Sequence, residues 1–144
     1  MDAASSSAAR LLAALLDVRE ELRALAGYLR NQPEVTAVVT EFDMWHTWFW
    51  SSDSTLPEVE IYVDAVLQSG NGISCFVKLR WDAAQWTLER EIRRNRCDLP
   101  GNELQYLVQF PRAETADLDE LIAVLNQGAT ELVVRLKSID LKPF

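Results

Sequence analysis

Histidine and cysteine, the residue types that most often mark chemistry, are scarce in this 144-residue chain: one histidine, His46, and two cysteines, Cys75 and Cys97. Any histidine-dependent mechanism must therefore use His46. The two cysteines stand twenty-two positions apart, too far for a close metal-ligand pair, and read as reduced structural residues, with a single disulfide as the alternative. There is no phosphate loop of the G-x-x-x-x-G-K-[ST] kind, because Gly70-Asn71-Gly72 lacks the lysine and the following hydroxyl. There is also no G-x-S-x-G nucleophile elbow. No apolar run approaches the eighteen or so residues that would span a bilayer. The stretch from Met1 to Leu16 begins with Asp2 and carries Arg10, unlike a secretory signal, so a cytoplasmic location is expected. No cofactor or metal is implied, and the chain reads as a binding protein, not an enzyme.

What is present is ordinary globular material. A length of 144 residues suits one domain, 1–144, able to bury a core without staples. Twenty-two acids stand against fourteen bases, for a net charge of -8. That balance repels nucleic acid and anionic membrane from the domain as a whole, unless a local patch reverses the sign, and solubility alone is a sufficient reason for it.

Periodicity predicts a helix, about five antiparallel strands and a further helix or helix pair, an α+β fold with the helices on one sheet face. Ser5, Ser6 and Ser7 offer N-caps to a first helix ending near Arg30, with Asn31-Gln32-Pro33 as its stop. Leu11, Leu12, Leu15, Leu16, Leu22, Leu25 and Leu29 form its apolar stripe. Val35 to Phe42 reads as a β-branched strand. From Val59, strict alternation sets Val59, Ile61, Val63, Ala65 and Leu67 toward the core and Glu58, Glu60, Tyr62, Asp64 and Val66 toward water. A loop at Gln68 to Gly72 turns the chain into Ile73, Cys75, Val77, Leu79 and Trp81, and Asp82-Ala83-Ala84 turns it again toward Trp86, Leu88 and Ile92. Arg93 to Asn102 reads as a polar connection, and Leu104 to Phe110 as a last strand stopped by Pro111. Thr115 and Asp117 compete to cap the final helical region, in which Gly128 leaves one helix or two equally open. The bases Arg90, Arg93, Arg94 and Arg96 are interrupted by Glu91 and read as a solvated strand end or as ion-pair partners within the fold, in preference to a nucleic-acid site.

The unusual segment lies between Arg30 and Lys78, where no base occurs and Glu34, Glu41, Asp43, Asp53, Glu58, Glu60 and Asp64 supply seven negative charges. Within it, residues 42–50 carry five aromatic rings in nine positions. Rings at Trp48 and Trp50 would share one face and those at Trp45 and Phe49 the other, so one covered sheet face cannot easily bury both sets. Exposed rings ringed by carboxylates suit a protein partner with basic character, because aromatics give contact area at low entropy cost and charge steers the encounter. Packing of all the rings under the helices or a long loop is the competing reading, and stacking on sugar faces a third. The candidate partner-binding residues are Asp43, Trp45, His46, Trp48, Trp50, Asp53, Glu58 and Glu60, with the acids as steering groups.

The small acidic α+β form and the segment Met44-Trp45-His46-Thr47-Trp48-Phe49-Trp50 resemble bacterial polymorphic-toxin immunity proteins, in particular the TriTu type. That resemblance implies stoichiometric binding of a cognate secreted toxin by a monomer or homodimer, without turnover. It carries over no individual toxin contact. Two alternatives follow from the same residues. A secretion chaperone holding an effector segment would need a long helix near residues 93–102. A small-ligand domain or enzyme would need a deep helix–sheet pocket lined by His46 or Glu41.

Overall fold

The computed structural model describes residues 3–43, 58–82, 84–96 and 103–144. The chain runs α1 (Ala3–Arg30), β1 (Val35–Asp43), β2 (Glu58–Leu67), β3 (Gly72–Asp82), β4 (Gln85–Arg96), β5 (Glu103–Gln109), β6 (Ala113–Thr115) and α2 (Leu118–Lys137). This is the α+β architecture expected, with an antiparallel sheet and the helices packed on it.

Helix α1 begins ahead of the serines that were expected to cap it, which are absorbed into an alanine-rich first part of good helix formers. Its core stripe is narrower than the leucine pattern suggests. Leu15, Val18, Leu22, Leu25 and Leu29 are buried at helical spacing, whereas Leu12 and Leu16 turn away and stay exposed. The helix stops where Asn31 and Gln32 donate to the carbonyls of Tyr28 and Leu29, just before Pro33.

Strands β1 to β5 lie in sequence order, each antiparallel to the last. Cross-strand register puts Val63, Cys75 and Ile92 in one row, Ile61 and Val77 in the next with Arg90, and Val59, Leu79 and Leu88 in a third. Those residues form the inner face, against which α1 and α2 bury Leu22, Leu25, Leu121, Leu125 and Leu132. Each such fully buried leucine or isoleucine contributes about 2 kcal/mol. The β2–β3 turn is closed by Leu67 donating to the Asn71 carbonyl at 2.9 Å, and Gly70 takes the positive φ of 86° that the turn needs.

Two departures from the expected strands have physical causes. Strand β4 continues to Arg96, so Arg93 to Arg96 belong to the ladder and not to a polar connection. Their guanidinium groups are accommodated by rings: Arg93 stacks 4.2 Å from Phe76 and Arg94 4.4 Å from Phe144. The last strand is split. Strand β5 pairs with Glu91 to Arg96 and β6 with Trp86 to Leu88, along the edge of β4 left free by β3. Pro111, which cannot donate to a ladder, lies in the gap between them.

Helix α2 is one continuous helix through Gly128. Asp117 is its cap, accepting from the amides of Asp119 at 2.8 Å and Glu120 at 3.3 Å. Thr115 instead accepts from the Asp117 amide and donates to Glu120. Gly128 is required by Arg90, which projects from the inner face of β4 and is 9% exposed. The Arg90 Nη1 donates to the Gly128 carbonyl at 3.3 Å and to Glu131 Oε2 at 3.0 Å, and its guanidinium stacks 4.6 Å from the Phe110 ring. A charge buried among leucines is thereby paired, although its Nε finds no partner.

A Cβ at position 128 would stand 2.8 Å from Arg90 Cδ, which is pinned at its far end. Gly128→Ala therefore loses about 1 kcal/mol net by denaturant titration, the overpacking exceeding the helix-propensity gain of about 1 kcal/mol. The Cys75 thiol provides a second test. Burial, then the charge of Asp64, push its pKa up from 9.0 to about 12, against a smaller opposing effect of a Val63 backbone hydrogen bond. Because folding raises this pKa, the contribution is intact below the unfolded value and is lost as pH climbs from 9.0 toward about 12. Cys75 should resist a thiol reagent in the native protein at mildly alkaline pH and react once the chain is unfolded, followed by peptide mass mapping.

Candidate functional site

With both helices on the inner face, the outer face of the sheet is lined by the other residue set of each strand. Register aligns Glu60 with Lys78, Tyr62 with Phe76, and Asp64 with Ser74 across β2 and β3, then Phe76 with Glu91 and Ser74 with Arg93 across β3 and β4. The rows continue into β5, where Tyr106 stands opposite Arg93 and Leu104 opposite Asn95. Glu60, Tyr62, Asp64, Ser74, Phe76 and Arg93, with Asn95 and Leu104, enclose a shallow groove of about 230 Å³.

The Phe76 ring forms its floor and is almost wholly covered, by Arg93 at 4.2 Å and Lys78 at 5.3 Å from the ring centre. Arg93 also lies 3.3 Å from a Glu91 oxygen. Glu89 is paired with Arg112 at 2.5 Å. The bases of the groove are thus occupied by rings and by their own neighbours. Asp64 forms no ion pair among the described residues and stands beside Tyr62. The groove therefore offers a partner a carboxylate next to an aromatic ring, an arrangement suited to an ammonium or guanidinium group.

The expected site residues fare unequally. Glu60 lines the groove on the outer face, as the alternation predicts. Glu58 does not serve as a solvated steering charge. Its side chain is 2% exposed, and its carboxylate accepts from Arg80 at 3.0 Å and lies 3.6 Å from Lys78. The alternation assigned its face correctly but not its burial, which the flanking bases on β3 create. Asp43 is the last residue of β1, and its backbone pairs with Glu60. Trp45, His46, Trp48, Trp50 and Asp53 lie outside the described residues, as does Cys97. In sequence these candidate residues fall between the end of β1 at Asp43, which pairs with Glu60, and the start of β2 at Glu58.

Sequence reasoning missed Asp64, Arg93, Leu104 and Tyr106 as members of one surface. The alternation placed Asp64 on the outer face, but nothing in a single sequence reports that β5 lies beside β4. Among the described residues no group of histidine, cysteine and carboxylates is disposed to hold a metal, and no helix is long and apolar enough to cross a membrane. The chain matches no family model, no curated protein and no solved structure.

Glu58→Gln separates a folding role from a binding one. Loss of this buried charge leaves Arg80 and Lys78 facing a neutral amide and should lower stability by about 2 kcal/mol in denaturant titration. The cost is below that of a fully buried pair because both bases are partly exposed.

Proposed function

We propose that the protein is a stoichiometric binder of a basic protein, of the kind that neutralises a cognate bacterial toxin, and that it acts through the outer face of its sheet. The observation that carries this reading is the shallow groove, floored by Phe76 and flanked by Tyr62, Glu60 and Asp64, on the face opposite the helices. A rigid antiparallel sheet presents such a face without reorganisation, which keeps the entropic cost of association low. Negative charge is concentrated on the adjoining sequence, from Glu34 to Asp64, where seven acids occur without one base. That polarity would draw a basic partner to the groove from a distance of about a Debye length, roughly 10 Å at 0.1 M salt.

A secretion chaperone would need a long helix where β4 instead continues as strand to Arg96, so the observed topology gives that alternative less support. A small-ligand site between helices and sheet gains little from an inner face filled by Ile61, Val63, Val77, Leu121 and Leu125.

The direct experiment mixes the purified protein with basic toxin domains encoded beside its gene and follows heat by calorimetry and toxicity in cells. A 1:1 complex that abolishes toxicity is the expected result. If no neighbouring toxin is bound or neutralised, the immunity reading fails. Within a complex, Glu60→Gln with Asp64→Asn should slow association several-fold at low salt, with the difference vanishing at high salt. Equal rates at low salt would remove these carboxylates from the encounter.

A further inference from the structure

The fold holds two of its own guanidinium groups in the same way. Arg90 stacks 4.6 Å from the Phe110 ring and pairs with Glu131 at 3.0 Å. Arg93 stacks 4.2 Å from the Phe76 ring and lies 3.3 Å from a Glu91 oxygen. Each base is thus met by both a ring and a carboxylate, a combination suited to a planar, weakly hydrated cation. Tyr62 and Asp64 repeat the combination on β2, two residues apart on the outer face and so about 7 Å from each other along the strand. Asp64 is matched by no base among the described residues.

The surroundings of Asp64 differ from those of Glu60. Register sets Glu60 opposite Lys78, whereas Asp64 stands between Val39 on β1 and Ser74 on β3, with Tyr62 and Val66 before and after it on its own strand face. None of these four neighbours is charged. Val39 is 53% and Val66 42% exposed. The charge of Asp64 also acts across the strand pair, where it is second only to burial in raising the pKa of the Cys75 thiol. A side chain that reached Asp64 would cover both valines with its stem and exclude water from the ion pair it forms. That is the setting in which a charge contact is most costly to lose.

We propose that Asp64 is the seat of one arginine of the partner, whose guanidinium meets the Asp64 carboxylate and the Tyr62 ring while its aliphatic stem lies across Val39 and Val66. The inference rests on the outer face being a surface for a basic protein, and it adds which basic side chain is recognised and where. Arginine suits the position better than lysine. Its planar fork can meet both carboxylate oxygens, the Ser74 hydroxyl can accept a further N–H, and the more strongly hydrated ammonium loses more when valines enclose it. The two groove acids then separate kinetically. Glu60, set opposite Lys78, contributes to steering alone, so Glu60→Gln slows association. Asp64→Asn should in addition speed dissociation of the complex about ten-fold.

The experiment titrates the full 15N-labelled chain with the peptide acetyl-Gly-Arg-Gly-amide and with its lysine and citrulline counterparts, followed by NMR. Saturable shifts at the amides of Val39, Asp64 and Ser74 are expected with arginine. Lysine should bind several-fold more weakly, and citrulline, which keeps the shape without the charge, should not bind. Asp64→Asn should weaken the arginine peptide about ten-fold and Glu60→Gln by no more than about two-fold. Val39→Lys supplies a base of the chain's own opposite Asp64, and should abolish binding with the carboxylate still present. It keeps the test decisive if Asp64→Asn is destabilised. Equal binding of the citrulline peptide, equal loss in Glu60→Gln, or shifts confined to other acids overturn the proposal. A toxin that is neutralised, and whose dissociation Asp64→Asn leaves unchanged, overturns the seat while the immunity function stands. Arginine binding at Asp64 with no neighbouring toxin neutralised supports the seat and removes the immunity function.

Discussion

Strand β3 sits between β2 and β4 in a register that leaves little freedom to the rest of the molecule. Its residues Cys75, Val77 and Leu79 meet Val63, Ile61 and Val59 on one side and Ile92, Arg90 and Leu88 on the other. Because side chains alternate with period two, slipping either pairing by one residue would turn Phe76 and Lys78 inward and expose the row that both helices cover. Helix positions, the burial of Arg90 and the composition of the outer groove all follow from this one alignment.

Arg90 is the clearest consequence. The alignment places a cation on the inner face, where an isolated charge would be prohibitively costly. The fold accommodates it with a glycine in α2 that lets backbone and guanidinium approach, a carboxylate from Glu131 and the face of Phe110. A related solution recurs along β4, where Arg93 and Arg94 lie over Phe76 and Phe144. Bases that look in sequence like a patch for an anionic ligand are instead consumed internally, on both faces of one strand. What remains available on the outer face has aromatic and acidic character, hence the proposed preference for a basic partner.

The legibility of the site followed the range of the interactions that build it. Local alternation assigned Glu60 and Asp64 to the outer face, and the turn at Gly70 was readable from its residue types alone. The burial of Glu58 was not readable, because it depends on Arg80 and Lys78 arriving from the next strand. Leu107 and Val108 obscured the facing of β5, and the shift in its pairing with β4 explains why simple alternation fails there. In α1 the leucine pattern overstated the core, since leucines at positions 12 and 16 satisfy composition but not the angle at which the sheet is met.

By itself, then, the sequence determined the order and kind of the main elements, because helix and strand periods are written in residues three or four, or two, apart. It also determined which face of β2 and β3 is apolar and where acid is concentrated. Tertiary structure alone decided that Gly128 interrupts nothing, that the run of arginines is strand, that Glu58 is held within the fold, and that Leu104 and Tyr106 share the outer face beside β4. Each of those depends on a neighbour supplied from a distant part of the chain, and one-dimensional periodicity carries no record of which strands become neighbours.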